Sequence, residues 1–370
     1  MENDLILYAI PIFLILILVE IVYGIAIKRN TYQVNDAISN LSQGLISIAV
    51  AICTPFFQIG AYELISRWTG DVSQFPIWHH WYGWFIALLI YDFLDYWLHR
   101  VSHRCAFFWG SHVVHHQSQF FNLSSALRQE SLFSIVGGFF FFPMALLGIP
   151  AYQFAVVSVV ALLYQFWLHT EHIGKLGWFD SIFSSPSNHR VHHAINGLYI
   201  DKNFGAILII WDRIFGTYQK EDAKCIYGTK VPLNSWNPLK ALTVAYSDIF
   251  RKCCAVKGFL NKLRAFYKEP SWLPDGVNID SKKYSAISNE IYNPPVRRHG
   301  YFFAAGLLVA TFFFVCLLMV SVDELSYLSK VAGLIAILTT LYCASFYLES
   351  KEVRSWVFGS LLSPARSESN

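Results

Sequence analysis

A mostly apolar run near the amino terminus, residues 5–27, constrains the fold of this 370-residue chain more than any other feature. A membrane-spanning helix needs about 20 such residues, because lipid offers no partner for an unpaired backbone polar group. Only Pro11 and Glu20 interrupt the run. The run is longer than the apolar part of a signal peptide and follows the acidic start MEND. We therefore predict a membrane anchor that is retained.

Further apolar runs predict additional membrane helices. They lie at residues 42–65, 81–98, 131–149, 151–169, 301–321 and 331–348. A turn signal at 148–150 joins the two middle runs, and Gly137 and Pro143 weaken the first of them, so this pair is expected to form a hairpin of shorter, partly re-entrant helices. Charged residues make up 14% of the chain, against about 25% in soluble domains. The predicted fold is an all-α integral membrane protein with five to seven membrane helices.

Basic residues flank one end of the predicted helices more than the other. Lys28 follows the first run, Arg100 and Arg104 follow the third, and Lys351 and Arg354 follow the last. The positive-inside rule places these ends in the cytosol, with the amino terminus outside and the carboxyl terminus inside. The net charge of +3 and the lack of a suitable basic run argue against a nucleic-acid partner.

Composition divides the chain into four predicted regions. These are amino-terminal membrane helices (1–98), a histidine-rich catalytic region with a membrane hairpin (99–220), a cytosolic amphipathic segment (221–300), and carboxyl-terminal membrane helices with a tail that is expected to be disordered (301–370). Within the third region, residues 240–268 mix basic and apolar residues at helical spacing. This pattern predicts either a helix lying on anionic lipid headgroups or one packed on the cytosolic region.

Ten of the 13 histidines fall between residues 99 and 193. They are spaced as HRVSH, HVVHH, HTEH and HRVHH. Residues three or four apart share one face of a helix, so each motif is expected to present two or three imidazoles to one point. Without a metal, burial of so many rings would leave nitrogens unpaired at a cost of about 1 kcal/mol or more each. The spacing therefore predicts metal binding.

The predicted ligands are eight histidines of three motifs and one more at the end of the fifth apolar run. They are His99, His103, His112, His115, His116, His189, His192 and His193, with His169 as the ninth. Nine imidazoles exceed the needs of one tetrahedral zinc ion and suit two metal ions with open positions. The motifs contain no cysteine, which argues against an iron–sulfur cluster. His172 is left open, while His79, His80 and His299 are interpreted as ordinary histidines.

Several carboxylates lie close to these motifs in sequence. Asp92, Asp95, Asp201 and Asp212 are candidate acceptors for the outer N–H groups of the ligands, and ion pairs with Arg100, Arg104 or Arg213 are the alternative. Glu171 lies between His169 and His172 at the predicted mouth of a membrane helix, where an unpaired carboxylate is costly. We predict a site role for Glu171, with pairing to a nearby arginine as the alternative.

The ordered motifs HRVSH, HVVHH and HRVHH on a membrane-embedded helical frame resemble the fatty acid hydroxylase/sterol desaturase superfamily. The stretches NLSSALRQE (122–130), YQFWLHTEHIGKLG (164–177) and 185–218 resemble its ether-lipid-cleaving, tetrahydrobiopterin-dependent branch, and 270–276 does so more loosely. The likeness covers roughly residues 80–280 and implies two iron ions held by the nine histidines. Glu130 departs from that branch, where a small polar residue would be expected.

The resemblance implies a membrane monooxygenase that hydroxylates the carbon next to the ether oxygen of an alkylglycerol, giving an aldehyde and glycerol. It also implies dioxygen as co-substrate and tetrahydrobiopterin as a possible cofactor. Glu171 is predicted to be a catalytic group and a pterin contact, and Arg128 a weaker headgroup or cofactor contact. Since the chain has no GxGxxG fingerprint, electrons are expected from an external donor.

Two other functions stay open from the sequence. One is a sterol or fatty-acyl hydroxylase or desaturase that uses a different electron donor. The other is a metal transporter, although transport ligands are expected along the membrane spans and here they gather at one end. The active site is expected on the cytosolic side of a bacterial inner membrane or of the endoplasmic reticulum.

Overall fold

The computed structural model describes residues 2–68, 75–274 and 290–349, and within these ranges the chain is helical, with two isolated β-bridges and no strand. The helices are α1 (Glu2–Ala26), α2 (Val34–Cys53), α3 (Ala61–Trp68), α4 (Trp81–Arg104), α5 (Ala106–His116), α6 (Leu123–Ala126), α7 (Phe133–Gly137), α8 (Phe142–Leu146), α9 (Ala151–Phe166), α10 (Pro186–His193), α11 (Ile210–Ile214), α12 (Pro238–Ala255), α13 (Phe259–Tyr267), α14 (Arg298–Val320) and α15 (Tyr327–Leu348). A π-helical turn, Phe56–Gly60, and 3₁₀ turns at Pro76–His79, Gly138–Phe141 and Phe179–Ser181 complete the regular structure. Lys351, Arg354, the tail and residues 275–276 lie outside the described residues.

Four of the described helices are long and apolar enough to cross a membrane. They are Leu7–Ala26 within α1, together with α2, α14 and α15. An integral membrane protein is therefore confirmed. The second helix differs from its predicted range of 42–65, since it begins at Val34 and ends at Cys53. Pro55 follows, and the residue before a proline is pushed out of the helical region.

The other three apolar runs do not yield such helices, so four described helices meet the criterion where five to seven were predicted. The run 81–98 lies in α4, which continues to Arg104 and carries several charged side chains. The run 131–149 breaks into α7, a 3₁₀ turn and α8 around its glycines and Pro143. Helix α9 has 16 residues and spans only about 24 Å, less than the ~30 Å of a bilayer core. Short helices in this hairpin agree with the expectation from sequence.

Helix packing places the membrane helices beside the histidine-rich region. Helices α2, α14 and α15 share one apolar core, and α4 and α9 share a second core with the segment between them. The polar interruption of α1, Glu20, is buried and accepts hydrogen bonds from the Leu123 amide (2.8 Å) and from the hydroxyls of Tyr32 and Thr170. Glu20 therefore links α1 to the segment after α5, through Leu123, and to the segment after His169, through Thr170.

Residues 240–268 form two helices, α12 and α13, that differ in how much of their apolar surface is buried. Helix α12 packs against α5 and α15 and buries Ala241 and Ile249, as the packed alternative expects. Helix α13 leaves Phe259 and Leu260 about 70% exposed, next to basic residues. The lipid-surface alternative stays a prediction for both helices, since α12 also leaves Phe250 70% exposed.

Candidate metal centre

Four elements bring all nine histidines predicted as ligands into one place, in two adjacent groups. The last turns of α4 and α5, the residue His169 after α9, and α10 supply them. The first group consists of His99, His103, His112, His116 and His192, and the second of His115, His169, His189 and His193. Within each group, one ring nitrogen of every member lies within 4.8 Å of those of the others. His172 belongs to neither group.

HRVSH, HVVHH and HRVHH each bring two imidazoles to one group, within the expected two or three, and both HxxHH motifs give their third histidine to the other group. On α5, His112 and His116 belong to the first group and His115 to the second. On α10 the pattern is reversed, since His189 and His193 belong to the second group and His192 to the first. Residues four apart point almost the same way on a helix, whereas the adjacent residue points about 100° away. Each motif therefore bridges the two groups.

The Nε2 atoms converge on the interior of each group. His112 Nε2 lies 3.0 Å from the Nε2 atoms of His103 and His116 and 3.1 Å from that of His99. His189 Nε2 lies 3.0 Å from His169 Nε2 and 3.1 Å from His193 Nε2. Lone pairs brought this close in a buried space fit a shared cation, and imidazole nitrogen is a suitable ligand for iron. The donor sets therefore fit one metal ion each.

The opposite nitrogen of five rings has an acceptor that fixes the ring orientation. The pairs are His99 Nδ1 with Phe204 O (2.8 Å), His112 Nδ1 with Glu130 Oε1 (2.7 Å), and His115, His169 and His192 Nδ1 with the carbonyls of Arg128, Gln165 and Lys202 (3.0 Å each). A carbonyl oxygen only accepts, so Nδ1 carries the proton and Nε2 keeps its lone pair toward the centre. Burial lowers the pKa of His112 to about 3 and that of His115 to about 4, which keeps both rings neutral, as a metal ligand requires.

The predicted carboxylates support the site at different distances. Asp201 lies 3.6 Å from His103 Nδ1 and also pairs with Arg104 at 3.2 Å, so both interpretations of Asp201 agree with its position. Asp212 accepts hydrogen bonds from the amides of Phe204 (2.8 Å) and Gly205 (2.7 Å). These bonds hold the Phe204 carbonyl, which accepts the hydrogen bond of His99 Nδ1. Asp212 therefore supports His99 through the backbone.

Asp92 and Asp95 lie on α4, upstream of His99, and have different surroundings. Asp92 accepts from the amides of Ile207 (2.8 Å) and Leu208 (3.2 Å) and from the Trp211 indole (2.8 Å), which anchors the loop after α10. Asp95 instead faces the cavity described below. The sequence alone indicated that all four aspartates lie near the motifs. It could not distinguish their different roles, because the backbone groups that Asp92 contacts lie more than 100 residues away in sequence.

Glu130 is a site residue that sequence reasoning did not predict. Its carboxylate accepts from His112 Nδ1 at 2.7 Å, and its side chain is 16% exposed. The one signal in the sequence was its departure from the pattern of the related branch. Nothing local connects Glu130 with His112, because the loop after α5 has to fold back before the two residues meet.

Glu171 and Arg128 lie outside both histidine groups. Glu171 forms an ion pair with the half-exposed side chain of Arg29 at 3.2 Å. Arg128 is buried and donates to Val114 O, to Ser39 Oγ (2.9 Å) and to Gln117 Oε1 (2.7 Å). The arginine pairing named as the alternative for Glu171 is present, and a pterin contact of either residue stays a prediction.

An apolar cavity of about 910 Å³ extends from the membrane helices to both histidine groups. Side chains of α1, α2, α9 and α14 form its apolar wall, for example Phe13, Leu45, Leu162 and Phe312. The histidines and carboxylates that line it lie together at one end, here called its polar end, with Gln129; they are His99, His112, His115, His169, His189, Asp95 and Glu130. Ser47, Gln58, Ser134 and Ser158 are further polar residues of the wall. Its size and lining suit the hydrocarbon chain of a lipid.

Comparison with known proteins agrees with this geometry. Residues 84–217 match the family model of the fatty acid hydroxylases. The chain is 37% identical to human alkylglycerol monooxygenase over 73% of its length and 60% of that protein, and 39% identical to the Danio rerio protein of the same name over 72% of its length and 59% of that protein. It is also 29% identical to the ornithine lipid hydroxylase OlsE of Rhizobium tropici, over 52% of its length and 59% of that protein.

The chain thus spans about 60% of the length of the curated relatives that it matches. No solved structure matches it significantly. The matched segment begins in α4 before His99 and ends after His193, so it contains both histidine groups. Residues 84–217, which contain all nine histidines of the two groups, therefore match the fatty acid hydroxylase domain.

Proposed function

We propose that this protein is a membrane lipid monooxygenase that cleaves alkylglycerols. The observation that carries the proposal is the meeting of two groups of neutral histidines with the polar end of a long apolar cavity. The cavity suits a substrate with one hydrocarbon chain, and the histidines suit a redox metal beside it. Relatives named alkylglycerol monooxygenase, 36–39% identical over most of the chain, support the choice of substrate class.

Two iron ions are proposed, one for each histidine group. The first group offers five imidazoles and the second four, which leaves positions open for other ligands. Bound iron would supply the activation of dioxygen that an unactivated C–H bond requires and that side chains alone cannot provide. The chain's own contribution is to hold the rings neutral and oriented, through the outer acceptors, and to exclude water with the apolar wall of the cavity.

The reaction proposed here balances with dioxygen and a two-electron donor. The carbon next to the ether oxygen loses a C–H bond and gains a hydroxyl from one oxygen atom, while the second oxygen atom leaves as water with two electrons and two protons. The resulting hemiacetal breaks its C–O bond to give a fatty aldehyde and glycerol. Tetrahydrobiopterin is the proposed external electron donor, and the cytosolic face is the proposed side of the reaction.

The test of this proposal uses membranes that contain the full chain, 1-O-hexadecylglycerol, dioxygen and tetrahydrobiopterin, and follows the release of hexadecanal. Aldehyde that requires both the lipid and the pterin is expected. Samples without pterin, and membranes from cells that lack the chain, are the controls. If membranes with iron-loaded protein release no aldehyde, the ether-lipid proposal is wrong, and sterol or fatty-acyl substrates with another electron donor are tested next.

We also expect Glu171→Gln to raise the KM for tetrahydrobiopterin by about tenfold, because a hydrogen bond to a charged group contributes about 1.5–3 kcal/mol. Arg29→Gln is the matched control, since it removes the partner of the same ion pair. A half-exposed pair contributes only about 0–1 kcal/mol, so the control should leave this KM unchanged. Equal and small effects of the two substitutions would show that Glu171 serves the ion pair and not the pterin.

A further inference from the structure

The polar end of the cavity contains a carboxylate that lacks part of its hydrogen bonding. Glu130 uses Oε1 to accept from His112 Nδ1 at 2.7 Å. Its second oxygen, Oε2, is buried and has no hydrogen-bond partner within the part of the chain that the structure describes. A buried polar atom without a partner costs about 1–3 kcal/mol, so such atoms in folded proteins usually meet a ligand or water.

A second carboxylate lies at the same end of the cavity. Asp95 lines it from α4 and is close enough to Glu130 for the two carboxyl groups to interact electrostatically. Gln129 lines it as well, but its amide donates to Ala126 O at 2.6 Å. Two neighbouring carboxyl groups surrounded by apolar walls offer oxygens that accept hydrogen bonds from a neutral donor, and the apolar walls make the burial of a charged group costly.

The distribution of polar and apolar residues also gives a direction for a bound lipid. The apolar wall is formed by membrane helices, with Leu45 of α2 and Leu308 and Phe312 of α14 as examples. The histidines of both groups and the two carboxylates lie together at the other end. A single-chain lipid therefore fits with its hydrocarbon chain along the membrane helices and its headgroup at the two carboxyl groups. The atoms that join headgroup and chain then lie beside the two histidine groups.

We infer that Glu130, together with Asp95, forms the headgroup subsite and binds a free hydroxyl of the substrate through Glu130 Oε2. This inference rests on the proposed function, because an alkylglycerol carries two free hydroxyls on its glycerol part, beyond the ether oxygen. A hydroxyl supplies the missing hydrogen bond of Oε2 without bringing a negative charge. The subsite thus selects lipids with free glycerol hydroxyls over lipids whose glycerol hydroxyls are all acylated or alkylated.

The test measures binding without turnover, on the iron-loaded full chain in phosphatidylcholine nanodiscs and in the absence of oxygen. Tritiated 1-O-hexadecylglycerol is displaced either by the unlabelled lipid or by its 2,3-di-O-methyl derivative. The unmodified protein is expected to prefer the free hydroxyls by about 30-fold, as sites built around a hydroxyl reject analogues that lack it. In Glu130→Gln the preference falls to about threefold or less, because the amide donates equally well to a hydroxyl and to a methyl ether.

Glu130→Gln keeps an oxygen for the His112 proton, and iron per chain is measured in each variant to show that this contact survives. Phe312→Leu is the matched control: it weakens both lipids alike, since it changes only the apolar wall. Asp95→Asn tests the second carboxylate from a different helix and is expected to reduce the preference less. If the unmodified protein binds both lipids equally, or if Glu130→Gln retains the full preference, the headgroup subsite is wrong.

These outcomes are separate from those of the proposed reaction. Hydroxyl preference that depends on Glu130, in a protein that releases no aldehyde, would support the subsite and overturn alkylglycerol cleavage. Aldehyde release by a protein with no hydroxyl preference would support cleavage and overturn the subsite.

Discussion

His193→Ala is expected to abolish aldehyde release, by on the order of 1,000-fold or more, as removal of one member of a catalytic unit typically does. It should also lower bound iron from about two ions per chain to about one, since each histidine group is proposed to hold a single ion. His193 belongs to the group of four, and its Nε2 lies 3.1 Å from that of His189. The substitution leaves three imidazoles in that group and an apolar methyl in place of the fourth.

Iron per chain and hexadecanal release are measured on the same purified samples. His172→Ala is the matched control, because His172 lies next to the motifs in sequence but outside both groups, and it should keep both iron ions. His103→Ala removes one of five ligands from the other group and should lose less iron than His193→Ala. Full iron and full activity in His193→Ala would exclude the second group as a metal site.

Arg128→Met is expected to destabilise the protein by about 3–5 kcal/mol, the usual cost of breaking a buried charged network. The Arg128 guanidinium is buried and donates to a backbone carbonyl and to the side chains of Ser39 and Gln117. Asp36 is buried nearby and interacts electrostatically with it. The carbonyl of Arg128 also accepts the His115 proton, so the loss should reach the second histidine group.

Thermal unfolding of detergent-solubilised protein measures this effect, and a fall in Tm of about 10 °C is expected. Adding Asp36→Asn should recover part of the loss, because it removes the charge that Arg128→Met leaves unpaired. A headgroup or cofactor contact of Arg128 predicts the opposite result, with an unchanged Tm and a raised KM for lipid or pterin. That result would contradict the structural role.

The comparison of sequence with structure separates local from long-range information. The sequence identified the nine converging histidines, because spacings of three and four residues determine a helix face without reference to the rest of the chain. It also identified α1, α14 and α15, because a membrane span requires only length and apolar character. Of the five to seven membrane helices that it predicted, four described helices meet the criterion of length and apolar character, because glycine and proline break the run 131–149 and charged residues reduce the apolar character of α4.

By itself, the sequence determined that the chain enters a membrane and which imidazoles gather at the end of its helices. Only the tertiary structure decided which imidazoles share a group, since His169 and His189 meet His115 across distant elements. It also decided that Glu130 accepts a hydrogen bond from His112 Nδ1, while Arg128, two residues earlier, is buried in a separate network. Contacts of this kind form only when loops bring together residues that are far apart in sequence, so no periodic pattern in the chain predicts them.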